Sequence, residues 1–341
     1  MPRRALPFVL ALLAGCRIET AAPQAGAVVS ADGTPRGELW VYTSMYRHVM
    51  DAFEPLLKAQ LPQVAVRWFQ GGSEKVATKL EAELAAGGSP CDVLMTSDPF
   101  LYRRLAKEGR LLRAVSPNGV RTDRSLVDPD GHWESVRLST MVLVHKAGAD
   151  APESFGALLE PRWKGEIVIG DPLTSGTAFT WAVAMERSHG EDFFERLRAN
   201  GARVAGGNAA VLQKVEGGEA RVGVVLLENV LAARARGSPV EARWPTDGAV
   251  LIPGPAATLS SSRNPVAARA FIDLVLSPGG QRVLAGLGDM HAVDPREAGP
   301  KGLEGATWLL TKSAPFDEAL LDRGLTDGAA LKARFSAAFS K

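Results

Sequence analysis

The chain has 341 residues, enough for two domains of ordinary size, and 46% of them are hydrophobic, enough for a sizeable core. Lys and Arg number 39 against 38 Asp and Glu, a formal net charge of +1. That balance excludes the basic excess with which nucleic-acid-binding proteins neutralise phosphates, and no internal stretch has the ~18 uninterrupted apolar residues of a membrane span.

Residues 1–16 read as a targeting segment. Arg3 and Arg4 form a positive start, and 6–14 form an apolar run too short to cross a bilayer. Leu13-Ala14-Gly15-Cys16 resembles the bacterial lipobox, whose cysteine is lipidated and becomes the first residue of the mature protein. Acyl chains on Cys16 would anchor the protein to a membrane without spanning it. Residues 17–36, rich in Ala, Pro, Gly and Thr, read as a flexible tether. With Cys16 acylated, Cys91 has no partner for an internal disulfide, and its apolar setting predicts a small buried thiol.

A strand is predicted over 38–44, ending in Thr43 and Ser44. An amphipathic helix over 49–59 and a second strand over 64–69 follow. Gly71-Gly72-Ser73-Glu74 opens a helix over 75–86, with Ser73 as its cap or as a ligand contact. A third strand, 92–96, ends in Ser97-Asp98-Pro99 before a helix over 100–109. This alternation predicts a parallel sheet covered on both faces, with ligands outside the carboxyl ends of its strands. Residues 113–133 read as a loop and 136–144 as a long strand.

A second αβ series contains the stretch that organises the chain. A buried strand over 165–170 meets Asp171-Pro172-Leu173-Thr174-Ser175-Gly176-Thr177, and a helix runs on from 178. Small hydroxyl residues there sit where the first helical N–H groups lack partners, a place that suits an anion. The alternative is a capped helix end that binds nothing. Helices are predicted over 191–200 and 209–216, the second after a turn through Asn208. A strand over 222–227 ends at Glu228-Asn229. Segments 250–252 and 256–259 suggest a crossing strand broken by Pro253 and Pro255. A helix over 265–276 has Asn264 as its cap, and the tail, 303–341, reads as helical.

Enzyme constellations are absent from the sequence. There is no His-Glu-x-x-His, phosphate-loop, Gly-x-Ser-x-Gly or Cys-x-x-Cys motif, and the five histidines are scattered. No cofactor is expected. What recurs is strand ends bearing Ser, Thr, Asn, Asp or Glu, the make-up of a polar binding cleft.

The chain resembles the extracellular solute-binding proteins of bacterial ABC transporters, in the branch containing ferric-ion, sugar-phosphate and aminophosphonate binders. The resemblance spans about 38–297 and rests on 39–44, Pro90-Cys91-Asp92-Val93, Pro161-Arg162-Trp163-Lys164-Gly165, 171–177, Gly218-Glu219 and 270–278 with Gly280-Gln281. It implies a type II periplasmic-binding-protein fold, an α/β architecture of two lobes with mainly parallel sheets joined by crossing hinge strands. The crossings are expected near 138–142 and 253–258. Lobe 1 would comprise 37–138 and 256–303, and lobe 2 would comprise 139–255 and 304–341. It implies a monomer, lipid-anchored outside the cytoplasm, that is no enzyme and delivers a solute to ABC permease subunits.

In the family's ferric binders an anion accompanies the iron. The residues that hold it correspond to Ser175, Gly176, Thr177 and Asn208. The iron ligands correspond to Tyr46, Ser97, Glu228 and Asn229, a set with one evident carboxylate and no tyrosine pair. The implied ligand is therefore an organic molecule with a phosphate, phosphonate or carboxylate at the 175–177 turn. Ser44, Tyr46, Ser73, Ser97, Thr174, Asn208 and Asn229 would be further contacts, and Glu228 would take an amine or hydroxyl. Bland alternatives stand beside these: Tyr46 as a wall residue, Asn208 as a turn residue, Glu228 paired with Arg221 or Arg234, and Trp163 and Trp181 as core. Alternative functions are ferric binding through non-tyrosine ligands and phosphoester hydrolysis with Glu228 as base.

Overall fold

The computed structural model describes residues 33–340; the expected signal segment, Cys16 and most of the expected tether lie outside them. The first half alternates β1 (Gly37–Thr43), α1 (Arg47–Gln60), β2 (Val64–Gln70), α2 (Ser73–Ala85), β3 (Val93–Met95) and α3 (Pro99–Lys107). β1 pairs in parallel with both β2 and β3, as strand–helix–strand connections require. A loop with short 3-10 turns leads to the long strand β4 (Glu134–Lys146).

The second half contains β5 (Ile167–Gly170), α4 (Gly176–His189), α5 (Phe193–Ala199), β6 (Arg203–Ala205), α6 (Asn208–Glu216), β7 (Val222–Leu226), α7 (Leu227–Ala235) and β8 (Val240–Arg243). The chain returns along β9 (Val250–Thr258) to α8 (Pro265–Leu276), α9 (Pro278–Gly286) and β10 (His291–Ala292). It ends in α10 (Ala306–Lys312), α11 (Glu318–Thr326) and α12 (Gly328–Phe339).

The sheet order is β2-β1-β3-β9-β4-β7-β5-β6, with β8 and β10 also paired to β4. β4 and β9 run antiparallel and belong to both halves. β9 joins β3 through residues 256–258, and β4 joins β7 through 141–145. They are the crossing strands of a two-lobed α/β fold.

The prolines do not break β9, contrary to the sequence expectation. Pro253 and Pro255 stand two apart, so their missing N–H groups fall on one side, and β3 covers β9 only from Ala256 onward. A second difference is α7. The apolar run of β7 passes directly into a helix, so Glu228 and Asn229 occupy its first turn rather than a strand end.

Trp163 and Trp181 are core, as one of the two readings held. Trp181 meets Phe155, Phe193 and Phe194 edge-on. Cys91 is fully buried, and burial pushes its thiol well above its ordinary range, which makes it inert. α11 and α12 pack across both halves. Arg103 on α3 pairs with Glu318, Lys332 reaches Glu74 at 3.2 Å, and the buried Glu186 on α4 meets Arg323 and Arg334.

Candidate functional site

Where the halves face each other, a chamber of about 230 Å³ opens. It is smaller than the roughly 300–1,000 Å³ of drug-sized sites, so it suits a small solute. Three helices point their N-termini at it: α2 at Ser73, α4 at Gly176 and α6 at Asn208. Among the described residues, the backbone N–H groups of Ser73, Glu74, Gly176, Thr177, Asn208 and Ala209 have no hydrogen-bond partner. These are the orphan donors of each first turn, and the helix dipoles add positive potential to them.

The 171–177 turn is built as a local hydrogen-bonded unit. Asp171 Oδ1 accepts from Leu173 N at 2.8 Å, and Asp171 O accepts from Thr174 and Ser175 N. Ser175 caps α4 through a long 3.4 Å bond from Ala178 N, and its Oγ lies 3.1 Å from Thr177 Oγ1. Asn208 is used by the protein itself. Its Nδ2 donates to Thr177 Oγ1 at 3.1 Å and its Oδ1 accepts from Leu226 N at 3.3 Å, which ties α6 to α4 and to the end of β7.

Gly176 gives the room that a close approach of two helix ends needs. A Cβ there would stand 2.8 Å from Ser73 Cβ and 3.3 Å from Asp98 Cβ, so the α2 and α4 ends are in direct contact across the two halves. Ser73 does not cap its helix. The cap position is Gly72, and Ser73 Oγ instead accepts from Ser97 N at 3.3 Å.

The principal charge is a residue that sequence reasoning passed over. Arg137 lies in the middle of β4, 2% exposed, and lines the chamber. Its Nη2 donates to Ser97 Oγ at 2.8 Å and reaches Ser44 Oγ at 3.4 Å, while Nε and Nη1 are buried with no hydrogen-bond partner. Burial pushes its guanidinium below its ordinary range, and the negative charge of Glu228 partly restores it. Room for the side chain comes from Gly254 on β9, where a Cβ would meet Arg137 Nη1 at 2.6 Å. An arginine between Val136 and Leu138 in a predicted strand was the available signal.

Glu228 is 5% exposed, and its carboxyl is pushed up to about 7. Burial is the main cause. A Ser139 hydroxyl bond and Arg137 pull it down, and Asp289 pushes it up. Its electrostatic partner is thus Arg137, not Arg221 or Arg234. The Tyr46 hydroxyl donates to Asn229 Oδ1 at 3.1 Å, a bond that spans the two halves. Burial pushes that phenol up to about 12. Ser44, Tyr46, Ser73, Ser97, Thr174, Ser175, Gly176, Thr177, Asn208 and Glu228 all line the chamber; Asn229 lines a neighbouring cavity instead.

The arrangement can hold an anion by directed amides and an immobile guanidinium. It has no nucleophile–base pair: Glu228 is its one carboxylate, and no histidine lines it. Among the described residues no three His, Cys, Asp or Glu side chains gather as a metal site.

A protein of Haemophilus influenzae, itself uncharacterized, is 27% identical over 290 residues, covering 80% of this chain and 82% of that one. Iron-bound HitA from Pseudomonas aeruginosa matches with a TM-score of 0.76 at 22% identity, over 87% of this chain and 99% of its own. AfuA from Actinobacillus pleuropneumoniae, with fructose-6-phosphate bound, matches with a TM-score of 0.77 at 22% identity, over 89% and 99%. A substrate-binding protein of an ABC transporter from Agrobacterium tumefaciens gives 0.77 at 18%, over 92% and 96%. At these identities the structural likenesses establish the two-lobed fold alone. The sequence itself carries the family: its model matches residues 39–288, most of the folded chain, and the protein belongs to the bacterial extracellular solute-binding proteins.

Proposed function

We propose that this protein is the lipid-anchored capture component of an ABC importer, taking a small organic anion between its lobes and passing it to permease subunits. The observation that carries the reading is Arg137, buried with two unpartnered nitrogens where the N-termini of α2, α4 and α6 converge. A buried guanidinium with two nitrogens left without hydrogen bonds is costly, and an anionic guest would supply the missing acceptors. Phosphate, phosphonate and carboxylate groups all fit this donor set.

The donors come from both halves: Ser73 and Arg137 from one, Ser175 to Thr177 and Asn208 from the other. A solute touching both would stabilise the closed form, and the protein would act by population shift about β4 and β9. Lobe 1 is taken as 37–138 plus 256–303, and lobe 2 as 139–255 plus 304–341. Cys16 supplies the membrane anchor, and the protein works as a monomer outside the cytoplasm. HitA is iron-bound, but a ferric reading has less support here. Hard Fe(III) favours several anionic oxygens, and this chamber offers one carboxylate and a phenol already bonded to Asn229. The phosphoester-hydrolase reading rests on Glu228 alone.

A thermal-shift panel of phosphates, phosphonates, carboxylates, neutral sugars and Fe(III) tests the proposal. An anionic solute at about a hundred times its dissociation constant should add roughly 2.7 kcal/mol of stability. Stabilisation confined to neutral sugars or to iron would overturn it.

A further inference from the structure

At the end of β4 and β9 that adjoins β3, the protein encloses a separate cavity of about 400 Å³. It is bounded by α8, by residues 114–117 of the loop before β4, and by the first residue of β4 and the last of β9. It shares no lining residue with the central chamber. Its size falls within the roughly 300–1,000 Å³ of sites for small organic molecules. Val115, Pro117, Ala270 and Ile272 give it apolar walls.

Two buried polar atoms of residues on its wall have no partner. Glu134 opens β4 and is 2% exposed. Its Oε1 accepts from Ser116 N at 2.9 Å, but its Oε2 accepts nothing. Thr258 closes β9, is 2% exposed and leaves its Oγ1 without a hydrogen bond. Burial pushes the Glu134 carboxyl up to about 7; the Ser116 amide pulls it down, and the charge of Asp273 pushes it up. Asp273, half-buried on α8, accepts from Ser116 Oγ and from Asn118 N. Among the described residues no cationic group pairs with either carboxylate. Arg269 stands one turn before Asp273, at the spacing of a helical ion pair. Its guanidinium donates instead to Arg113 O at 3.1 Å.

We propose that this cavity is a second binding site, apart from the solute cleft, for a small primary ammonium ion with an apolar body. The ammonium group donates to Glu134 Oε2 and Thr258 Oγ1, Asp273 adds negative charge beside it, and the alkyl part packs on the apolar walls. Such an ion supplies both things this wall lacks: donors for two buried oxygens and positive charge for two carboxylates. A bare metal ion would leave most of the space unfilled, and an alcohol would bring no charge. The proposal does not depend on which solute the cleft takes.

Titration calorimetry of the protein with n-alkylammonium ions from propyl to hexyl, with the alcohols of equal length and with calcium chloride tests it. At least one ammonium ion should bind about tenfold tighter or more than its alcohol. Glu134→Gln keeps an acceptor for Ser116 N and should lower that affinity about tenfold or more. Thr258→Val removes a hydroxyl that the fold leaves unbonded. It should lower the affinity about threefold or more, while the unliganded melt stays level or rises. Asp273→Asn, whose amide oxygen can still accept from Ser116 and Asn118, serves as a further variant should Glu134→Gln not fold. Absence of ammonium binding, equal affinity for the alcohols, binding of calcium alone, or an affinity that the substitutions leave unchanged overturns the site. Each of those results leaves the anion site in the cleft standing.

Discussion

Glu228 shows how one side chain links the site to stability. Its carboxyl is raised from 4.5 to about 7, chiefly by burial. The folded state therefore holds its proton to higher pH than the unfolded chain does. Stability from this group is intact below about pH 4.5, falls as pH rises towards 7, and is then level. Asp98, raised to about 6 by burial and by Glu74, acts in the same direction. Glu228→Gln removes the larger loss, so the unliganded variant should be more stable than wild type above pH 7, by an amount of order 3 kcal/mol, and equal to it near pH 4. Denaturant melts at the two pH values check this. Asp92 is the opposite case, a buried carboxylate fully used by the fold. It accepts from Trp40 N, Ser262 Oγ, Arg263 N and Asn264 N. Asp92→Ala strands those donors and should cost about 3 kcal/mol or more in urea unfolding, with no dependence on ligand. Of the charged groups in the chamber, Glu228 was legible in the sequence because it follows an apolar run. Arg137 was not, because its space is made by Gly254, far along the chain on another strand.

At the scale of elements, the periodic segments declared themselves and the joints between them did not. β1 through α3 fell where alternating and amphipathic patterns put them, since glycine, proline or hydroxyl residues punctuate each boundary. β7 and α7 share an apolar run with no such punctuation: the cap position of α7 is Leu226, which makes no side-chain cap bond. Ser73 looked like a cap because it follows two glycines. Helix α2 starts one residue earlier than a serine cap would allow, and the hydroxyl turns to Ser97. The abutting ends of α2 and α4 make a direct test. Gly176→Ala favours the helix slightly by propensity. Its methyl group, however, would press on Ser73 and push the two helix ends apart. The unliganded melt should hold steady, while anion affinity falls about tenfold or more. An unaltered affinity would mean that the contact is not part of the closed, binding form.

For the whole molecule, strand–helix alternation made a parallel sheet with a polar cleft at its strand ends readable, while the two lobes and the crossing strands were readable only through the family resemblance. The tail was readable only as helical. Its role in joining the halves depends on ion pairs between residues distant in sequence, such as Glu186 with Arg323 and Arg334. Glu186→Gln should lower stability by about 1–3 kcal/mol, since the carboxylate is buried but the arginines remain partly hydrated.

The claim on which the functional account rests is that Arg137 is held ready for an anion. Titration of the best anionic solute into wild type and Arg137→Met tests it most directly. The account predicts salt-sensitive binding to wild type and none to the variant, whose unliganded melting temperature is equal or higher because a buried guanidinium with two nitrogens lacking hydrogen bonds has gone. Anion binding of undiminished affinity in Arg137→Met, with its melt sharply lowered, would contradict it and make Arg137 a structural residue.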